Sequence, residues 1–205
     1  MLKAALSFLR DRLNEYILSK GIITDATKAP ATLMNLVDAK GDFLFDKLDK
    51  PAVIMITLVN LEEETVGKSQ LPYFRTPNDN IRIQNPDLKF NQYVLFSTYA
   101  KSAANTSLED TYALSLDMLD NVILYFQFRH SFSHDKYPNL DASIEKMIVE
   151  PVSLTLEQMN HLWATLGCKH LPSIVYKVRL LTYLENAESD GGRLVEKFVI
   201  EDRLQ

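Results

Sequence analysis

Four histidines, one cysteine and a few acidic pairs are the residues through which this chain could do chemistry. In HSFSHD, His130 and His134 stand four apart with Asp135 beside them. Two imidazoles at that spacing can share one side of a helix, as in zinc sites, but HExxH is missing and no third ligand follows nearby. A helix C-terminus favours His and Arg through its dipole, which gives FRHSFSH a purely structural reading. Cys168 and His170 follow Gly167 as a bare C-x-H. A thiol needs a base or a metal to react, so Cys168 reads as a small buried hydrophobe. Asp117 and Asp120, three apart, read as the solvated side of a helix. GxSxG, the P-loop, GxGxxG and paired CxxC are all absent, and six glycines leave little backbone for a phosphate cradle. No catalytic residue, cofactor or metal is expected. A small metal-dependent hydrolase built on His130, His134 and Asp135 is the alternative from the enzyme class.

The balance of the 205-residue chain agrees with that. Hydrophobic residues make up 46% and charged ones 24%, enough to bury a core without metals or disulfides. A net charge of −5 lacks the basic footprint of nucleic-acid binders. One cysteine fits a reducing compartment. The N-terminal apolar stretch is broken by Arg10, Asp11 and Arg12, and no apolar run approaches the roughly 18 residues of a membrane span. The expectation is a soluble protein, cytoplasmic when made, with no membrane and no nucleic-acid partner.

The elements that must position these residues are readable from periodicity. Leu2, Leu6, Leu9, Leu13 and Ile17 predict an amphipathic helix over 2–20, stopped by Gly21 and covering a sheet. A short strand is expected near Thr32–Val37. Pro51 then introduces AVIMITLVNLEEE, a strand buried on at least one face, with Glu62–Glu64 at its exit. DLKFNQYVLFSTYAK is another strand. Asn105, Thr106 or Ser107 caps a helix over Leu108–Arg129, with Tyr112, Leu116, Leu119, Ile123 and Phe126 expected on its apolar side. A strand over 143–151 follows. Thr155 and Gln158 form a capping box, the next helix runs to Leu166, and Gly167 ends it. Trp163, with Met159, Leu162 and Leu166, should plug this helix onto the sheet. In SIVYKVRLLTYL, Ile174, Tyr176, Val178 and Leu180 alternate with Val175, Lys177, Arg179 and Leu181. The class is α/β or α+β, with residues 1–186 as one domain and 187–205 as a flexible C-terminal extension.

Two segments are candidates for contact with other subunits, and residues 67–86 read equally well as a surface excursion that folds back on its own domain. Residues 67–86 hold Pro72, Pro77 and Pro86 and the turn residues Asn78, Asp79 and Asn80, and a long loop inside a compact domain is often functional. It carries Tyr73, Phe74 and Arg75, types enriched at interfaces. Beyond a flexible joint at Asp190, Gly191 and Gly192, the tail presents Leu194, Val195, Phe198 and Ile200, which could add a strand to a neighbour's sheet.

FNQYVLFSTYAK (90–101), LDMLDNVILYFQ (116–127) and IEKMIVEPVSLTLEQMNHLWATLGCKHLPSIVYKVRLLTY (144–183) together resemble the tail-terminator, or cap, proteins of bacterial extracellular contractile injection systems, the phage-tail-like particles. YVLFS, YFQ, the NHLW helix (Asn160–Trp163) and LPSIVYKVR are the most specific pieces. The resemblance covers Leu88 to Tyr183 well and the first helix and strand more loosely. It implies a mixed β-sheet flanked by helices, like phage tail terminators. It also implies a non-enzymatic cap that ends inner tube and sheath growth at the end distal to the baseplate. The implied partners are the inner tube protein, the sheath protein and further copies of the chain in a homo-hexameric ring. The implied location is the bacterial cytoplasm during assembly, then a phage-tail-like particle that can be released. Some members carry a longer C-terminal extension, so outer cap and cap adaptor, or another junction or baseplate component, both stay open.

Overall fold

The computed structural model describes residues 1–21, 29–64, 73–75, 80–83, 89–102, 107–182 and 189–193. Its centre is a six-stranded mixed sheet in the order β1-β2-β5-β8-β7-β6. The strands are β1 (Ala31–Leu33), β2 (Ala52–Glu63), β5 (Lys89–Ala100), β6 (Ser131–Ser133), β7 (Ile144–Val152) and β8 (Ser173–Thr182). Only β1 and β2 run parallel; every other neighbouring pair is antiparallel. Helices α1 (Leu2–Ser19) and α2 (Leu108–Phe128) lie on one face, and α3 (Leu156–Leu166) lies on the other. The fold class is therefore α+β, a mixed sheet flanked by helices, as the sequence predicts.

Residue parity along the strands decides which core each side chain enters. Ile54 and Ile56 of β2, Val94 and Phe96 of β5, and Tyr176, Val178 and Leu180 of β8 join α1 and α2 in the larger core. Val53 and Met55, Leu95 and Val175, one residue out of step, join Trp163 of α3 and Leu36 and Phe45 of the loop before β2 in a second core. Both parities of β2 are thus apolar and buried from Ala52 to Ile56. Lysines hold the loop over the second core. Lys50 Nζ donates to Ala29 O (2.6 Å) and Thr32 Oγ1 (2.8 Å). Lys101 Nζ donates to Asp46 O (2.7 Å) and to Leu48 O. Desolvation, and then the charge of Arg10, lower the Lys50 pKa.

α1 buries Ala5, Leu6, Phe8, Leu9, Leu13 and Ile17, the expected stripe. Gly21 follows it at φ 71, and its N–H donates to Leu18 O (3.0 Å), a left-handed turn that spares a Cβ. The helix also closes one sheet edge. The Asn14 carboxamide donates to Ala31 O (3.0 Å) and accepts from Ala31 N (2.8 Å), taking the place of a further strand beside β1. At the opposite edge, Phe132 of β6 is fully buried against Phe8 of α1 and Tyr137, with ring centroids 5.5 and 5.1 Å away.

Three sequence expectations need correction. α2 is capped by Ser107, whose hydroxyl accepts from Asp110 N (3.0 Å), but its buried side is Ser115, Met118, Val122, Tyr125 and Phe126. Of the expected stripe only Phe126 is fully in the core, and Tyr112, Leu116 and Ile123 reach solvent. The segment 67–86 is not structureless, because β3 (Tyr73–Arg75) and β4 (Asn80–Ile83) pair antiparallel within it. Asp190–Gly192, expected as a joint, lies inside β9 (Ser189–Arg193), which pairs with β4 to complete a three-stranded sheet.

α3 forms as predicted. Gln158 N donates to Thr155 Oγ1 (3.2 Å), Thr155 N donates to Gln158 Oε1 (3.0 Å), and Gly167 ends the helix at φ 70. Trp163 is 4% exposed, and its indole N–H points at Met159 Sδ (3.2 Å). Since Trp163 is the one fully buried side chain of α3, Trp163→Ala is expected to cost about 3–5 kcal/mol. Thermal or urea melting checks this, and a loss below about 1 kcal/mol would contradict its role as the plug. Asn14→Leu strips the edge of β1 of both bonds and is expected to cost about 1–3 kcal/mol in the same measurement.

Candidate assembly surfaces

The residues with chemical potential are not brought together. β6 separates His130 from His134, because α2 ends at Phe128 and the chain becomes extended. Four residues of strand span about 13 Å, so the two imidazoles do not share the helix side that the spacing suggested. The backbone carbonyl of His130 accepts from Val149 N (2.8 Å), giving this stretch a structural task. Among the described residues, no group of three or more His, Cys, Asp or Glu is placed to hold a metal ion. Cys168 packs at the edge of the second core, and burial pushes its thiol pKa up, away from the reactive thiolate. The His170 ring lies 5.3 Å from Trp163. Asp117 and Asp120 are solvent-exposed on α2.

What the fold does assemble are surfaces. The first is the three-stranded sheet. Tyr73, Phe74 and Arg75 form its edge strand β3, in register with Ile83, Arg82 and Ile81 of β4. On the other side of β4, Asn80 faces Arg193 and Ile83 faces Ser189 of β9. The two segments singled out in the sequence therefore converge, since Arg193 directly precedes Leu194. Leu194, Val195, Phe198 and Ile200 themselves lie outside the described residues.

The second surface is the part of the six-stranded sheet that α3 does not reach. Here side chains of the second-core parity turn polar. Tyr93 Oη donates to Glu62 Oε2 (2.8 Å), and that bond, more than burial, raises the phenol pKa. Lys177 Nζ stands 5.9 Å over the Tyr93 ring. Arg179 pairs with Glu150 (3.1 Å), and Asn91 Nδ2 donates to Glu64 Oε2 (3.0 Å). A hollow of about 500 Å³ opens among Phe90, Asn91, Ile148 and Arg179. The sequence signal for this surface was the Lys177–Arg179 alternation in β8 set against Glu62 in β2. Recognising it required the register that places the two strands on either side of β5.

A third surface is an edge. β1 pairs with β2 only at Ile54–Ile56, and from Leu58 to Glu62 no described strand lies on the outer side of β2. Leu58 and Leu61 are 39% and 40% exposed there. The register shifts between Leu58 and Asn60, a bulge of the kind that marks strand edges. The fourth surface is the solvent side of α2, with Leu108 82% and Phe128 77% exposed.

Among solved structures, the chain resembles the sheath/tube terminator, in its extended state, of the extracellular contractile injection system PVC. The TM-score is 0.55 at 11% identity, covering 100% of this chain and 64% of that one. It also resembles the anti-feeding prophage cap, described as a tube-terminating cap, with a TM-score of 0.48 and 13% identity over 94% of this chain and 60% of that one. The chain thus spans less than two thirds of either protein. A search of the curated proteins by sequence finds no match. The family described as the Pvc16 N-terminal domain matches residues 4–197, nearly the whole sequence, and the chain belongs to that family.

Proposed function

We propose that this chain is a structural terminator of a phage-tail-like contractile injection system, ending tube and sheath growth at the end distal to the baseplate. The observation that carries this reading is the fold, shared over the full length of the chain with a protein described as a sheath/tube terminator. Membership of the Pvc16 N-terminal domain family supports it further. The role is non-enzymatic, and the surfaces described above are what such a part needs. A terminator must match the last ring and offer nothing on which the next ring can grow. The partners are inner tube protein, sheath protein and further copies of this chain in a closed, head-to-tail sixfold ring. Assembly takes place in the bacterial cytoplasm, and membrane and nucleic acid have no part in it. Among the described residues, no helix is long and apolar enough to cross a membrane.

Within the ring, Tyr73, Phe74 and Arg75 embrace a neighbouring copy, and Leu194, Val195, Phe198 and Ile200 add a strand to its sheet. The outer side of β2 at Leu58–Glu62 is a suitable acceptor, since among the described residues no strand lies beside it; the Leu61 N–H, which donates to Asn60 Oδ1 (2.9 Å), would exchange that bond for one to the incoming strand.

Deleting the gene in its own host is expected to give tubes and sheaths that are overlong, ragged or unstable by electron microscopy. Particles of normal length with intact ends would contradict the terminator reading. Because Gly191–Arg193 belong to β9, the tail is best tested by a truncation that begins after Arg193. Loss of residues 194–205 is expected to leave the melting temperature of the purified chain unchanged and to lower the fraction of capped particles. Full capping by the truncated chain would remove the tail from the account.

A further inference from the structure

α2 has two apolar sides, and only one is in the core. Along the other, Leu108, Tyr112, Leu116 and Ile123 are 82%, 58%, 39% and 37% exposed. At 100° per residue these positions keep to one stripe along the helix. Beside the stripe stand the exposed carboxylates Glu109 and Asp120, and further round Asp110 and Asp117. No lysine or arginine occurs between Leu108 and Phe128. At Ile123 the stripe meets a groove of about 560 Å³ between α2 and strands β7 and β8, walled by Phe126, Val149, Ile174 and Tyr176. Burial pushes the Tyr176 phenol up to about 12, and Gln127, His130 and Glu150 line the groove as well.

An exposed apolar stripe of this length marks a contact site, and its charge selects the occupant. A second copy of this chain, at net −5, would meet the acidic helix with like charge. The segment 194–205 has Lys197 and Arg203 against Glu196, Glu201 and Asp202, so it also arrives net acidic. We propose that the α2 stripe and its groove seat an apolar segment flanked by lysine or arginine, supplied by the subunit of the ring that this chain caps. The proposal rests on the terminator reading and names the surface through which capping takes place.

The test uses full-length chain added back to purified particles from a strain that lacks it, read by co-sedimentation. One variant carries Glu109→Lys, Asp117→Lys and Asp120→Lys; a second carries Leu116→Ser and Ile123→Ser. All five positions are exposed, and retention of the fold is checked by circular dichroism and melting. Each variant is expected to bind about ten-fold less, and wild-type binding should weaken as salt rises from about 0.05 to 0.5 M. A photo-cross-linker at Tyr112 should join a particle subunit through a peptide that contains lysine or arginine. Folded variants that bind like wild type, or cross-links only to another copy of this chain, would overturn the proposal and leave the terminator reading standing. Failure of the wild-type chain to bind particles would overturn both.

Discussion

Burial of the sheet on both faces over only part of its area is the constraint on which the rest of the structure depends. At the start of β2, the middle of β5 and the start of β8, helices α1 and α2 press on one side while α3 and the 34–48 loop press on the other. Most side chains there are apolar regardless of parity, as AVIMI and VLF show, and Ser97 and Thr98 of β5 are the buried polar exceptions. Further along the same strands only one parity stays largely apolar, with Gln92 of β5 as its buried polar exception. The other becomes Tyr93, Lys177 and Arg179, and β2 ends in glutamates. The change from a doubly covered to a singly covered sheet creates the charged face, one of the surfaces open to partners.

Much of this was legible in the sequence, for physical reasons. β2 reads as a strand because its aliphatic run is too short and too β-branched for a helix. β8 reads from the alternation of Tyr176, Val178 and Leu180 with Lys177 and Arg179, and α3 from a capping box and a glycine, local signals that need no tertiary context. α1 has one apolar stripe and could face the sheet in only one way.

The failures also have causes. α2 is apolar almost all the way round, from Tyr112 and Leu114 to Tyr125 and Phe128, so periodicity alone cannot choose its buried side. The sheet instead accepts the side with Ser115 and Asn121, small or polar residues that fit because each bonds back to the helix, Ser115 Oγ to Thr111 O (3.3 Å) and Asn121 Nδ2 to Asp117 O (2.6 Å). Strands β3, β4 and β6, of three or four residues, are too short to show a period, and prolines around the first two suggest loop. Missing β6 is what made His130 and His134 look like helix neighbours. The convergence of Tyr73–Arg75 with the start of the tail depends on the pairing of β4 with β9, a long-range choice that local sequence does not encode.

The proposed function comes down to a location, the end of the particle away from the baseplate. The most direct measurement is cryo-electron microscopy of intact particles in which the chain carries a gold-binding tag ahead of Met1, a residue 39% exposed. The account predicts label at the distal end, one cluster per particle and none along the sheath. Label at the baseplate, or distributed along the length, would contradict it.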